Sequence, residues 1–230
     1  MKLQKGPYDA SSCFIYQKCI KEWWPALDTN RRIQHYKKGE LLFKEGDPVE
    51  GVYFMVKGVV KVHKHWTEDK ELIIRFAREQ DILGHRGLSS LNEPYPITAT
   101  ALSEATVCFI PMDFFRVSLT VNTGFLHEFM MFLADELRLS EQRMRDLAHM
   151  QVKGRTARAL LMLEKKFGTD KDGFIGFTIS RQDLAAYVGT AYETVYRLLL
   201  EFSEEGLIKT DGKNIGLLNL EGLHQLTEQS

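Results

Sequence analysis

The sequence predicts an α+β chain in which a β-barrel or sandwich is followed by one long helix and then by a winged helix. Three observations predict it. Residues 33–111 read as short strands separated by turns, residues 126–147 carry an unbroken heptad, and residues 180–218 read as two closely spaced helices followed by a hairpin.

In the first region, Val52-Tyr53-Phe54-Met55-Val56, residues 59–62, residues 72–76 and residues 107–110 are short runs rich in β-branched and aromatic side chains. Such residues fit a pleated, half-buried surface. Turn signals separate them at Lys38-Gly39, Glu45-Gly46-Asp47-Pro48, Lys57-Gly58, Gly84 and Asn92-Glu93-Pro94. Many short strands with frequent turns describe a closed or two-layered β-domain.

In the second region, Leu126, Met130, Leu133, Leu137, Ser140, Met144 and Leu147 follow one another at alternating spacings of four and three. A helix with that stripe wants a partner helix, so a homodimer is expected. Phe125, Phe129 and Phe132 add apolar positions suited to packing the same helix on the β-domain.

The third region opens with a helix placing Ala157, Leu160, Leu161 and Phe167 along one face, a loop over residues 168–173 and a short strand over 177–179. Ser180-Arg181-Gln182-Asp183 resembles a capping box. It starts a helix that Gly189 stops. Thr190-Ala191-Tyr192-Glu193 repeats the pattern and starts a second helix at once. Leu184, Val188, Val195 and Leu198 form the shared core, with Ala185 small at the crossing. A hairpin over 207–218 turns at Asp211-Gly212, a pair favoured in tight turns. The second helix of such a corner presents its outward side chains to the major groove. Here those are Tyr192, Glu193, Tyr196 and Arg197. Arg197 can donate two bonds to guanine and Glu193 can accept from cytosine. Ser180, Arg181, Gln182 and the hairpin's Lys213 complete the expected DNA-binding set.

Composition constrains the partners. The chain has 230 residues, 44% of them hydrophobic, and a net charge of −1, so no global field draws it to nucleic acid or membrane. Residues 151–230 hold ten Lys/Arg and eleven Asp/Glu, so DNA affinity has to come from local placement of charge; Lys153, Arg155, Arg158, Arg181, Lys209 and Lys213 near element starts and the wing are the candidate bases. Three cysteines without a CxxC pair, no signal-peptide pattern and no apolar run near the roughly 18–20 residues that span a bilayer point to the cytoplasm and to no membrane partner. Nothing supports an enzyme: there is no phosphate-cradling glycine loop followed by lysine, no GxSxG and no HExxH, and no metal site is predicted. The competing reading is an effector-binding regulatory module that acts through protein contacts alone.

With these residues in view, the chain resembles the Crp–Fnr family over about residues 36–218. Ile179-Ser180-Arg181-Gln182-Asp183-Leu184-Ala185 and Glu193-Thr194-Val195-Tyr196-Arg197 resemble its helix-turn-helix signature, including the glutamate and arginine that read bases. Lys38-Gly39-Glu40, Glu45-Gly46-Asp47 and Tyr53-Phe54-Met55-Val56-Lys57-Gly58 resemble its cyclic-nucleotide-binding-like β-roll. The resemblance implies an effector-sensing domain over 1–122 with an N-terminal helical segment, a dimerisation helix over 123–150 and a DNA-binding domain over 151–230. It also implies a near-palindromic double-stranded operator and RNA polymerase as a further partner.

Departures from the family pattern bear on the effector. Where cyclic-AMP-binding members carry Gly-Glu for the ribose and Arg-Ser for the phosphate, this chain reads Gly84-His85, followed by Arg86, and Tyr95-Pro96. Proline has no N–H to offer a phosphate oxygen. On the long helix Ser140-Glu141 replaces the usual Thr-Ser. Cyclic AMP is therefore not expected as the effector. An iron–sulfur centre is not expected either, because it takes four thiolates and the chain has Cys13, Cys19 and Cys108. Haem stays open, with His63, His65, His85, His127 and His149 as candidate ligands and His85 first among them. Tyr192 stands where the family has an arginine that reads the outer half-site, so only the inner positions are expected to be shared with other family operators.

Overall fold

The computed structural model describes residues 13–67, 70–89 and 94–228, apart from the side chain of Trp66; Asn92 and Glu93, expected as a turn, lie outside them. The chain divides into two compact units, Met1–Trp66 with Ile74–Glu136, and Thr67–Ile73 with Leu137–Ser230. The fold is α+β.

Short helices α1 (Phe14–Lys18) and α2 (Trp24–Asn30) precede strands β1 (Arg32–Tyr36), β2 (Leu41–Phe43), β3 (Gly51–Lys57), β4 (Val60–Thr67), β5 (Lys70–Ala77), β6 (Ile82–Leu83), β7 (Thr98–Ala101) and β8 (Ala105–Pro111), all in the first unit except the end of β4 and the start of β5 within Thr67–Ile73. The strands form two four-stranded sheets, ordered β1-β8-β3-β6 and β2-β7-β4-β5. Alternation explains why β3 and β8 are buried on both faces. Tyr53, Met55, Val107 and Phe109 turn into the roll, while Val52, Phe54, Cys108 and Ile110 turn outward against Ile15, Tyr16 and Leu27 of the N-terminal helices. Helix α3 (Met112–Val121) and the start of α4 (Thr123–His149) close that outer cluster with Phe115, Phe125 and Phe129. Each fully buried aromatic or aliphatic side chain here contributes roughly 1.5–3 kcal/mol.

The second unit contains the rest of α4, then α5 (Val152–Phe167), α6 (Arg181–Val188), α7 (Tyr192–Glu204), the hairpin β9 (Ile208–Asp211) and β10 (Asn214–Leu217), and α8 (Leu220–Glu228). Gly154 lets α5 and α8 approach closely, since a Cβ there would meet the Leu226 carbonyl at 2.7 Å. The strand expected over 177–179 is absent. Thr178 instead donates its hydroxyl to Asn214 Oδ1 at 2.7 Å, and the β-contact to the hairpin comes from the Ile175 N–H to Ile215 O, 2.8 Å. The hairpin register pairs Asp211 with Asn214, so its turn is Gly212-Lys213 rather than Asp211-Gly212. Gly212 takes φ +55°, which suits the first central position of a two-residue turn. Among the described residues no helix is long and apolar enough to cross a membrane.

Candidate nucleic-acid interface and sensor site

The corner between α6 and α7 is built as a shared core with a glycine hinge. Leu184, Ala185, Val188, Val195 and Leu198 are buried, and Gly189 takes φ +75°. Ser180 caps α6 by accepting the Asp183 N–H at 2.9 Å, while its hydroxyl donates to the Asp183 carboxylate. Both capacities of the Ser180 side chain are thus spent inside the corner. The second capping box does not form. Thr190 and Gly189 both donate their N–H to the Ala185 carbonyl, at 3.1 and 2.9 Å, so Thr190 closes the end of α6. The N-cap of α7 is Ala191, which offers no side-chain oxygen.

The outward face of α7 carries Tyr192, Glu193, Tyr196 and Arg197, all exposed. Among the described residues Arg197 makes no hydrogen bond or ion pair. Glu201, one of its available neighbours along the helix, is taken by Lys153 at 2.7 Å. Lys213 is likewise exposed at the hairpin tip with its ammonium unbonded within the described residues.

Other expected bases are committed within the unit. Arg181 donates to the carbonyls of Lys213 and Gly212 at 3.1 and 3.2 Å and so fastens the wing tip to α6. Arg155, expected as a charge offered to DNA, spends its guanidinium on the carbonyls of Met150, Val188 and Gly189 and caps the end of α6. Lys153 holds Glu201 and Glu205, Arg158 holds Asp146, and Lys209 bonds the Asp172 carbonyl. Gln182 is exposed in the first turn of α6. Arg143, which no motif singled out, stacks its guanidinium on the Tyr187 ring at 4.3 Å and donates to the Tyr187 carbonyl, tying α4 to α6.

Along α4 the heptad positions Leu126, Met130, Leu133, Leu137 and Met144 are 37–61% exposed. Leu147 departs from the expected seam. It is half-buried and its Cδ2 would touch a Cβ at Gly189 at 2.8 Å, so this side chain packs on the corner. Ser140 is half-buried.

In the first unit the residues at the expected effector positions pack closely, and among the described residues His85 Nδ1, Arg86 Nε and Arg75 Nε are buried without a hydrogen-bond partner. Gly84 takes φ +80°, and a Cβ there would meet the Gly51 carbonyl at 2.8 Å. Tyr95 is buried, stacks on Phe43 with centroids 4.2 Å apart and donates its hydroxyl to the Gly51 carbonyl at 2.8 Å. Pro96 beside it is exposed. His85 is buried edge-on against Phe132, centroids 4.9 Å apart, with Nε2 3.8 Å from Glu136. Glu136 also takes Arg75 at 3.2 Å and Arg86 at 3.4 Å. With the carboxylate engaged by two guanidiniums, burial first and then Arg75 and Arg86 hold the His85 pKa well below 6.5. The imidazole is therefore neutral at physiological pH.

These groups do not fit a cyclic nucleotide. The phosphate position holds a phenol already bonded to backbone and a proline, and both nearby guanidiniums face Glu136. Of the two His85 ring nitrogens, Nε2 faces Glu136 while Nδ1 is buried with no hydrogen-bond partner among the described residues. Of the other histidines, His63 lies 2.8 Å from the Thr100 hydroxyl and 5.1 Å, ring to ring, from exposed His65, while His127 and His149 are exposed. Cys13, Cys19 and Cys108 are free, buried and part of one apolar cluster.

Known proteins match both halves. Residues 33–120 match the cyclic nucleotide-binding domain family, and residues 154–226 match the Crp-like helix-turn-helix domain family. The chain is 31% identical over 185 residues to the cAMP-activated global transcriptional regulator CRP of Salmonella typhimurium, covering 80% of this chain and 88% of that one. It is 30% identical over 192 residues to the transcriptional activator protein anr of Pseudomonas aeruginosa, covering 82% and 78%. Among solved structures it is similar to FixK2 from Bradyrhizobium japonicum, with a TM-score of 0.77, 25% identity and coverage of 87% and 98%.

Proposed function

Because the chain belongs to the Crp–Fnr family of non-enzymatic, DNA-binding transcription regulators, we propose that it is a cytoplasmic homodimer that reads a near-palindromic operator through α7 and answers an effector other than cyclic AMP. The observation that carries the reading is Arg197. It is an exposed guanidinium on the outward face of the second helix of the corner, with no intramolecular partner among the described residues. Glu193 shares that face one turn earlier and is also exposed. Arg197 donates to guanine O6 and N7, Glu193 accepts from cytosine N4, and Lys213 at the wing meets phosphate. Arg181 supports the wing rather than reading bases. The exposed leucines and methionines of α4 form the two-fold seam, which places the half-sites about one helical turn apart. Three free buried thiols suit a reducing compartment, and RNA polymerase is the partner through which such a regulator acts on transcription.

The test is a binding series on an operator selected from randomised duplexes and on its single-base variants. Arg197→Ala costs about 1–3 kcal/mol on the operator and flattens discrimination at one base pair of each half-site. Lys213→Ala weakens specific and random DNA alike and lowers the salt slope by about one phosphate per subunit. An Arg197→Ala protein that keeps every wild-type base preference overturns the assignment.

A further inference from the structure

The face of α7 carries a second chemistry beside its two charged readers. Tyr192 and Tyr196 stand four residues apart, hence on one face of the helix. Their rings lie nearly parallel, 19° apart in plane with centroids separated by 6.2 Å. They remain 46% and 49% exposed. Neither hydroxyl has a hydrogen-bond partner among the described residues, and neither ring belongs to the buried core of the unit. Two large aromatics left half in water on a 13-residue helix give the fold little, since an exposed helical position is served better by alanine, glutamate or lysine. Their exposed area is available for a partner.

We infer that Tyr192 and Tyr196 form an apolar plate that reads the 5-methyl groups of thymine, so that each half-site carries T·A pairs flanking the pairs met by Glu193 and Arg197. This inference rests on the proposed reading of α7 as the base-contacting helix. Of the groups lining the major groove, the thymine methyl is the apolar one, and it takes van der Waals contact where the other edges take hydrogen bonds. An aromatic face supplies that contact. Glu193 and Arg197 supply the complementary polar readout, so one helix face carries a carboxylate, a guanidinium and an apolar surface. The nearby base Arg181 is bonded to the wing carbonyls of Gly212 and Lys213, and the tyrosine side chains beside it keep about half their surface exposed.

The experiment removes only the methyl group. Operator duplexes selected on the full-length wild-type protein are resynthesised with deoxyuridine in place of thymidine, one position at a time, and binding is measured at fixed salt. Each methyl read by the plate weakens binding about fourfold when removed, the worth of one buried methylene, and symmetric replacement in both half-sites weakens it on the order of 15-fold. Tyr192→Phe and Tyr196→Phe keep the thymidine-over-deoxyuridine preference, because the ring makes the contact, whereas Tyr192→Ala and Tyr196→Ala erase it. Because the deoxyuridine series uses the unaltered protein, loss of folding in an alanine variant leaves it decisive. Equal affinity for thymidine and deoxyuridine duplexes at every position overturns the plate. So does a preference that survives both alanine variants, or one lost in the phenylalanine variants, which would assign the contact to the hydroxyls. If instead no operator can be selected, or its discrimination does not depend on Arg197, the reading of α7 itself has failed. A selected, Arg197-dependent operator indifferent to the methyl fails the plate alone.

Discussion

Arginines on two parts of the molecule lead opposite lives. Near the roll, Arg75 and Arg86 converge on Glu136 and lie beside a buried, neutral His85. On α7, Arg197 is exposed and unbonded within the described residues, as are the tyrosine rings beside it. The same residue type is closed in one place and open in the other. What differs is whether the chain itself supplies the counter-group. Where it does, at the effector positions of the roll, the carboxylate is engaged by two guanidiniums; where it does not, on the proposed reading face and along α4, the side chains are left exposed.

The α4 stripe offers the sharpest way to break this contrast, because it is the open surface that the proposed homodimer would bury. Leu137 is 61% exposed and Met144 60% exposed. Leu137→Asp places two carboxylates across the two-fold seam and costs the dimer about 3–5 kcal/mol, as buried unpaired charge does. Sedimentation velocity is expected to show a monomer. A dimer of unchanged strength would mean that the open stripe is not the seam.

A smaller effect probes the closed side. Glu136→Ala leaves Arg75 and Arg86, whose side chains are 14% and 27% exposed, without their anion. Losing one partner of a partly buried ionic cluster costs about 3 kcal/mol, read as a lower urea midpoint at unchanged slope. An unchanged midpoint would show that the roll's charges do not depend on one another.

How much of this was legible in the sequence depends on distance along the chain. The strands of the roll, the α4 heptad and the α6–α7 core follow from periods of two, seven and 3.6 and from turn residues, all local signals. Local competition explains the near misses. Thr190 looked like a second N-cap, yet its N–H was drawn back to Ala185, and the wing turn moved one residue when Asp211 paired with Asn214. The committed bases were illegible for a different reason. Arg155 and Arg181 reach carbonyls 34 and 32 residues away, and Glu136 reaches Arg75 and Arg86 at separations of 61 and 50. No periodicity marks such pairs, so a basic residue near a wing reads as DNA-facing until its partner is seen. Arg197 and Lys213 keep their expected exposure.

His85 gives a pH-dependent measure of closure. Its pKa in the native state is held well below 6.5 by burial, then by Arg75 and Arg86. The unfolded chain takes up that proton at the ordinary value, so in the window below pH 6.5 the unfolded state binds more protons. Stability therefore falls as pH drops through that window, by at most about 1.4 kcal/mol per pH unit from this group. Urea midpoints of the wild type and of His85→Gln are expected to diverge between about pH 7.5 and about pH 5.5, with the variant flatter. Parallel curves would show that the imidazole is not shut away from its proton.

The smallest expected effect is the most pointed, because it is zero. Cyclic AMP needs a cation at its phosphate and an acceptor at its ribose. Here the phosphate position is occupied by Tyr95, whose ring stacks on Phe43 and whose hydroxyl is bonded to the Gly51 carbonyl. To admit a nucleotide, the roll would have to expel that ring, forfeiting roughly 2–3 kcal/mol of aromatic burial together with a hydrogen bond. It would then have to draw Arg86 off Glu136, leaving Arg75 as the guanidinium holding that carboxylate. His85, neutral and facing Glu136, offers no carboxylate to the ribose. Each cost precedes any gain from the ligand, and a ligand shifts an equilibrium only by its differential affinity for the two states. Calorimetric titration with cyclic AMP is therefore expected to show no binding heat and no change in operator affinity. Micromolar binding that alters DNA affinity would show that the aromatic packing opens at low cost, and would remove the distinction between the closed roll and the open reading face.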